Sequence, residues 1–139
     1  MDRQPFAMRP VEAYFEGYPQ QAQLFQVVRD MIQSLGPVKV EVMKSGISFA
    51  TRFKFAWVWL PQRYELQQPP GSLVLSFGLD QRIEHARIKE VANPYPQRWT
   101  HHVIINTSDD LDDTLRGWLA QAYGFSTRPG PGHRASRDI

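Results

Sequence analysis

Residues 36–60 read GPVKVEVMKSGISFATRFKFAWVWL, and this stretch decides the fold. Its opening Gly-Pro pair ends a helix, and the valines that follow at every second position of 38–43 are typical of a half-buried strand. A Ser-Gly pair at 45–46 marks a turn, and the segments 47–51 and 53–60 indicate two further strands. Strands joined by such short connections favour antiparallel pairing. The stretch therefore predicts the start of an antiparallel sheet.

The third of these strands is apolar on both faces. Phe53, Phe55, Trp57 and Trp59 occupy alternate positions and are predicted to share one face, while the second half of the other face is also apolar. A strand with two apolar faces is typical of the centre of a sheet. We therefore expect this strand to lie centrally.

Helical spacing replaces strand spacing on both sides of the sheet region. On the N-terminal side, Pro10 starts a short predicted helix over 11–16, and a longer helix over about 19–35 has apolar residues at three- and four-residue intervals. On the C-terminal side, Ser108 is predicted to cap a helix that ends at Gly124.

The segment 72–79 predicts a strand with unequal faces. Leucine and phenylalanine occupy one face, whereas the other face has only Val74, Ser76 and Gly78. Side chains this small leave space beside the sheet. We expect either a closely packed helix or a shallow cleft there.

The rest of the central region is less regular. Residues 61–71 predict a loop, and 101–107 predict a strand. Between them, 82–91 indicates a short strand or a turn of helix, and 93–96, which reads Asn-Pro-Tyr-Pro, predicts a loop.

Together these elements predict an α+β fold. It has two N-terminal helices, a mainly antiparallel sheet of about five strands, and a C-terminal helix packed on the sheet. The amphipathic helices are expected to cover one face of that sheet. Residues 1–126 form a single domain in this interpretation, and residues 127–139, rich in arginine, proline and glycine, form a disordered basic tail.

The composition excludes several classes of protein. The 139 residues include no cysteine, which excludes disulfides, thiolate zinc sites and thiol catalysis. The formal net charge is +2, and the segment 127–139 supplies it with three arginines against one aspartate. The remaining neutral body argues against binding to duplex DNA. No apolar segment is long enough for a signal peptide or a membrane span, so we expect a cytoplasmic protein that does not insert into membranes.

The order and spacing of several segments resemble the bacterial domain-of-unknown-function family 5655. The matching segments include His101-His102-Val103 and the acidic run that opens the last predicted helix; the full set is 11–17, 34–37, 47–50, 80–83, 87–88, 101–103, 108–112 and 118–123. The resemblance covers roughly residues 10–125. It implies a small α+β domain that is distantly similar to YdhG-like proteins, some of which are linked to iron handling. It implies no agreed activity and no catalytic residues.

Four residues near the predicted strand ends form a candidate ligand-binding site: Lys44, Arg52, Trp99 and His102. If the first, second and fifth predicted strands are close neighbours, these side chains ring one end of the sheet and form a cleft that accepts an anion. The alternative is that they are solvated residues on the rim of the sheet.

The histidines do not have the spacing of a metal site. His101 and His102 are adjacent on a predicted strand, so their side chains point to opposite faces. A site would need His85 or a carboxylate such as Glu84 or Glu90 to converge on one of them. We therefore predict neither a metal site nor a cofactor.

Two further patterns are explained by structure alone. Residues 52–59 interleave basic and aromatic side chains, as a strand that stacks single-stranded bases would, but a core strand with two exposed cations explains them better. The aspartates in 109–113 complement the positive end of a helix dipole, which explains them better than acid–base work or magnesium binding.

The chain contains no phosphate-binding loop, no nucleophile elbow and no dinucleotide fingerprint. The leading interpretation is a small-ligand or protein-interaction module without catalysis of its own, with a homodimer through the aromatic surface as one arrangement. One alternative is a metal-handling protein, as the resemblance implies for iron. A second alternative is an enzyme that uses a cleft containing Lys44 and His102.

Overall fold

The structure, a computed structural model, describes residues 5–61 and 71–128, with side chains from residue 10 onward. Within these residues the chain forms three α-helices: α1 (Pro5–Tyr14), α2 (Pro19–Gln33) and α3 (Asp113–Thr127). It also forms six strands: β1 (Lys39–Met43), β2 (Gly46–Ala50), β3 (Lys54–Trp59), β4 (Leu73–Leu79), β5 (Ile88–Tyr95) and β6 (Arg98–Ile105). The strands make one antiparallel sheet in the order β1-β2-β3-β4-β6-β5. The α+β class and the central position of β3 are confirmed, and the sheet has six strands instead of about five.

The extra strand is β5, which forms a hairpin with β6 at the edge of the sheet. The predicted loop at 93–96 is wrong, because β5 continues to Tyr95. Pro94 is tolerated there since an edge strand has one row of backbone groups that needs no partner strand. The Asn93 amide donates to the carbonyls of Tyr95 and Arg98 at 2.6 and 2.8 Å, which closes the hairpin.

The first helix is longer than its sequence indicated. It begins at Pro5 and passes through Pro10, which was expected to start it, and it ends at Tyr14. The second helix, α2, ends at Gln33, close to the predicted end. None of the helices in the described part of the chain is long and apolar enough to cross a membrane.

The last helix begins and ends later than predicted. Ser108 opens a short 3₁₀ helix, Ser108–Asp110, and the N-cap of α3 is Asp112, whose carboxylate accepts a hydrogen bond from the Leu115 N–H at 3.0 Å. α3 then continues through Gly124, the expected stop, to Thr127. The guanidinium of the next residue, Arg128, donates to the Asp80 carboxylate at 2.8 Å. Two predicted segments, most of the loop 61–71 and the tail from residue 129, lie outside the described residues.

The hydrophobic core lies between the helices and one face of the sheet. Its centre is aromatic: Phe25 of α2 stacks near Phe49 of β2, and Phe77 of β4 stacks on Trp118 of α3. Further fully buried side chains from the strands, and from Leu60 just after β3, complete this face; those in strands are Ile47, Val58, Leu73, Leu75, Val103 and Ile105. Alternate residues on these strands point the other way, so the opposite face is available for a site.

A bulge at Phe55 divides the aromatic strand between the two faces. The register of β2 and β3 shifts there, and the Phe55 side chain is fully buried with its ring 5.6 Å from that of Tyr123 in α3. Phe53 also contacts α3, through Phe125 at 5.4 Å. The prediction that four aromatic side chains share one face is therefore wrong: the extra residue of a bulge reverses the alternation.

Tyr14→Phe is expected to lower the free energy of unfolding by about 1–3 kcal/mol, because it leaves a buried donor unpaired. The Tyr14 hydroxyl oxygen accepts the Leu60 N–H at 3.1 Å, and both residues are buried. Urea unfolding of the variant and the wild type measures the difference. Tyr95→Phe is the matched control, because that side chain is 64% exposed. Equal stability of the Tyr14 variant and this control would contradict the assigned bond.

Candidate functional site

One row of side chains crosses all six strands on the face away from the helices. The pairing registers place these residues side by side, from β1 to β5: Glu41, Ser48, Trp57, Ser76, His102 and Glu90. Directly opposed residues on neighbouring strands share a face. The row is therefore a continuous strip of polar and aromatic groups with a carboxylate at each end.

The first of two clefts on this face lies over the row between the β1–β2 turn and β5. It has a volume of about 530 Å³, and its wall includes Trp57, Trp59, Ser76, Glu90, Thr100 and His102. We call it the aromatic cleft. Ser76 is small, so the two indole rings and the imidazole ring stand above the floor of the sheet. The space that the sequence indicated beside Ser76 and Gly78 is therefore a cleft, not a helix contact.

The second cleft adjoins the first and shares Trp57 and Thr100 with it. It has a volume of about 570 Å³, and its wall includes four basic side chains: Lys39, Arg52, Lys54 and Arg98. We call it the cationic cleft. The two clefts meet at Trp57, so a ligand of moderate length can occupy both.

A chain of hydrogen bonds fixes the floor of the aromatic cleft. The Trp59 indole N–H donates to the Ser76 hydroxyl oxygen at 3.2 Å, and that hydroxyl lies 2.6 Å from Nδ1 of His102. Burial lowers the pKa of His102, and the nearby Glu90 carboxylate opposes that effect. When the Ser76 hydroxyl donates to Nδ1, the proton of the neutral imidazole lies on Nε2. The cleft thus has a neutral, oriented histidine beside a carboxylate.

The Ser76–His102 pair has two of the groups used in nucleophilic catalysis, but its setting is unlike that of an acyl-transfer site. Ser76 is 2% exposed and lies within β4, which is paired with β3 on one side and β6 on the other. The backbone N–H groups of β4 are therefore engaged in the sheet, and an oxyanion needs free N–H groups near the nucleophile. The geometry is better suited to holding a ligand than to attacking one.

The structure distributes the four sequence-predicted site residues over four places. His102 lines the aromatic cleft, and Arg52 lines the cationic cleft. Lys44 is exposed in the β1–β2 turn, between two residues that line the aromatic cleft but outside its wall. Trp99 pairs with Leu79 and lies on the helix-covered face. Lys44 and Arg52 flank opposite ends of β2, so these four residues do not ring one end of the sheet.

The four residues predicted as a site leave out several wall residues, among them Trp57, Trp59, Lys39, Lys54 and Arg98, and Glu90 was considered only as a metal ligand. The two tryptophans were identified as aromatic residues on one strand face, but were assigned to a core strand. The alternation of side chains along the strand was the signal that could have placed both tryptophans on the open face. The place of Glu90 beside His102, and that of Arg98, carried no such signal, because both depend on a hairpin that the sequence did not predict.

The other histidines do not join His102. His101 is fully buried on the helix side, where its ring stacks on Phe77 and its Nε2 accepts the Ile83 N–H at 3.0 Å. Burial lowers its pKa. The His85 ring lies 5.0 Å from that of Trp118. In residues 5–61 and 71–128, no three histidine or carboxylate side chains are placed to hold a metal ion.

The acidic run has structural partners. The Asp110 carboxylate accepts from the backbone N–H groups of Asn106 and Thr107, and Asp112 caps α3 and pairs with Arg87 at 3.1 Å. The hydrogen bond from the Leu115 N–H, helped by the positive charge of Arg87, lowers the pKa of the Asp112 carboxyl. Structure alone explains these two carboxylates.

Comparison with curated proteins and with solved structures finds no match. A family model does match, over residues 11–126, which includes α2, the whole sheet, both clefts and all but the last residue of α3. The family is described as a domain of unknown function. All the segments that carry the resemblance, from 11–17 to 118–123, lie within this range. The chain therefore belongs to the DUF5655 family of domains of unknown function.

Proposed function

We propose that this domain is a binding module for a small ligand with a planar ring, and that the ring lies in the aromatic cleft. The single observation that carries the proposal is the row from Glu41 to Glu90, on which aromatic side chains line an open cleft of about 530 Å³ whose described wall contains no helix residue. Ligand pockets have volumes of about 300–1,000 Å³ and combine apolar walls with a few oriented polar groups.

The chemistry of the walls supports a ring as the occupant. Trp57 and Trp59 are half-buried, so each presents part of an indole surface for stacking. Between them and β5 lie a hydroxyl, a neutral imidazole and the Glu90 carboxylate, which together accept and donate hydrogen bonds at the edge of a ring. Apolar stacking supplies the affinity in such a site, and the polar edge supplies the orientation.

The charges at the ends of the row argue against a long nucleic acid as the occupant. Glu41 and Glu90 lie at opposite edges of the sheet, so a phosphate backbone that ran along the row would pass a carboxylate at both ends. Binding of a polyanion requires neutralisation of several phosphates by basic side chains. A compact ligand avoids the two carboxylates because it fits between them.

Trp57→Ala is expected to weaken binding of the ring at least tenfold, because stacking on an aromatic side chain contributes about 1–3 kcal/mol per ring. Tryptophan fluorescence is the measurement, with a panel of aromatic acids, nucleosides and nucleotides titrated into the wild-type protein. The two cleft tryptophans are expected to respond to the members that bind. Calorimetry on those members then gives the affinity of each variant.

Trp99→Phe is the matched control, because Trp99 lies on the helix-covered face. It is expected to bind as the wild type does. If no member of the panel changes the fluorescence of the wild type, or if Trp57→Ala binds as well as Trp99→Phe, the aromatic cleft is not the site.

Several expectations from the sequence stay predictions. These are the cytoplasmic location, the lack of duplex DNA binding, the bacterial and YdhG-like relationship with its implied iron handling, and a homodimer through the aromatic surface. The last has a direct consequence for the cleft: a dimer through Trp57 and Trp59 would cover it. Sedimentation of the free protein as a monomer would leave the cleft open to a ligand.

A further inference from the structure

The cationic cleft has a surplus of positive charge. Four basic side chains line it, and Glu41 is the single carboxylate among the described residues of its wall. That carboxylate lies 3.6 Å from the Lys54 ammonium, with both side chains largely solvated. Because an exposed ion pair is weak, Glu41 compensates little of the positive charge of the other three basic side chains. The cleft therefore attracts an anion.

Arg98 is held in place as part of the wall. One of its guanidinium N–H groups donates to the Lys54 carbonyl at 2.7 Å, and its guanidinium lies 4.4 Å from the centre of the Phe53 ring. Its Nε lies over Gly78, where a Cβ would approach it at 3.4 Å. Burial lowers the pKa of Arg98 from its ordinary value, but arginine stays protonated in proteins. It provides a fixed positive charge at the floor.

Arg52 and Lys39 provide the charge at the mouth of the cationic cleft. Both side chains are exposed, and among the described residues neither has a carboxylate within ion-pair distance. Arg52 follows β2 and Lys39 begins β1, so they approach the cleft from neighbouring strand ends. An arginine and a lysine without an ion-pair partner in the described part of the chain are suited to a phosphate group, whose oxygens accept charge-assisted hydrogen bonds.

We infer that the cationic cleft receives the phosphate group of a ligand whose ring lies in the aromatic cleft. This inference rests on the proposed function and names its ligand class: a ring compound joined through a spacer to a phosphate at one end, such as a nucleoside monophosphate. A surplus of several positive charges favours a phosphate dianion over a carboxylate.

The spacing of the two ends fits this class. Arg98 and His102 are four residues apart on β6, so their positions are separated by roughly 13 Å along the strand. A ring joined to a phosphate through a spacer of the size of a sugar covers such a span. Glu90 and His102 then meet the edge of the ring, where an amino group of the ring would donate to the carboxylate.

The test compares ring compounds with and without their phosphate. Three pairs serve: phenol and phenyl phosphate, uridine and its monophosphate, adenosine and its monophosphate. In calorimetry at low ionic strength, at least one phosphorylated member is expected to bind about tenfold or more tightly than its partner, as for one added charge-assisted contact. Arg52→Gln and Lys39→Gln are each expected to remove most of that difference while leaving affinity for the unphosphorylated ring unchanged.

Arg116→Gln is the control of equal charge change. Arg116 lies on α3, on the other side of the sheet, where its guanidinium contacts the Ser34 hydroxyl. It is expected to bind like the wild type. Equal affinity for both members of every pair would overturn the phosphate site and leave ring binding intact, whereas failure of every compound to bind would overturn both. Tighter binding of the matching benzoates than of the phosphates, or affinity that grows with oligonucleotide length, would also overturn the inference.

Discussion

Gly46→Ala is expected to lower the free energy of unfolding by about 2–4 kcal/mol, since overpacking and backbone strain act together at this position. Gly46 begins β2 with a φ of +157°, and a Cβ there would lie 2.7 Å from the Val58 carbonyl oxygen and 3.1 Å from the Trp59 Cβ. The first of these neighbours is backbone, so relief requires β2 and β3 to move apart. Urea unfolding measures the loss.

Gly124→Ala is the control with the opposite expected sign. Gly124 lies inside α3, where an added Cβ meets no atom within 4 Å. A helical glycine replaced by alanine stabilises by about 0.5–1 kcal/mol. The Gly46 variant should also lose ring binding at temperatures where it stays folded, because Gly46 lines the aromatic cleft. Wild-type stability of the Gly46 variant would mean that β2 and β3 are farther apart than described.

Acidification is expected to lower the free energy of unfolding between about pH 7 and pH 5. The reason is that burial disfavours the protonated form of two histidines in the folded protein. Burial lowers the pKa of both His101 and His102 in the folded state. The unfolded chain therefore binds protons first as the pH falls below about 6.5, and stability decreases with pH until the folded-state pKa values are reached. Each histidine contributes a slope of at most about 1.4 kcal/mol per pH unit.

Urea unfolding across this pH range measures the slope, and His101→Phe assigns it. The ring of phenylalanine retains the stacking on Phe77 but does not titrate. For His101→Phe, the slope of the free energy of unfolding against pH is expected to be smaller than that of the wild type by up to the contribution of one proton. Asp112 does not interfere, because its lowered pKa removes stability only at pH values below its ordinary value near 4. A wild-type stability that is flat from pH 7 to pH 5 would contradict the burial of both rings.

Local patterns in the sequence predicted most of the fold. Alternating valines and periodic leucines gave the helices, the antiparallel sheet and the central place of β3, because each pattern reports a period that a short segment sets by itself. Two errors had local causes. Pro94 was interpreted as a loop residue although an edge strand tolerates it, and Ser108 was chosen as the cap although Asp112 supplies the hydrogen bond.

The candidate site depended on information that no short segment carries. Ser76 meets His102 because β6 lies beside β4 and β5 lies outside β6, and this order follows from long-range pairing. The bulge at Phe55 likewise depends on how β2 and β3 fit together. Alternation did predict that His101 and His102 point to opposite faces, and it identified the small residues of β4. Alternation did not predict which side chains of the neighbouring strands would surround the small residues of β4.

The row of six residues, one from each strand, has a consequence for how this domain can change during evolution. Each member projects from a different strand, and on β2, β3, β4 and β6 both sequence neighbours of the member are buried on the other side of the sheet. An exchange at Trp57, Ser76 or His102 therefore changes the chemistry of the open face without disturbing the packing beneath α3. If the proposed function holds, the same scaffold allows ligand specificity to change one strand at a time.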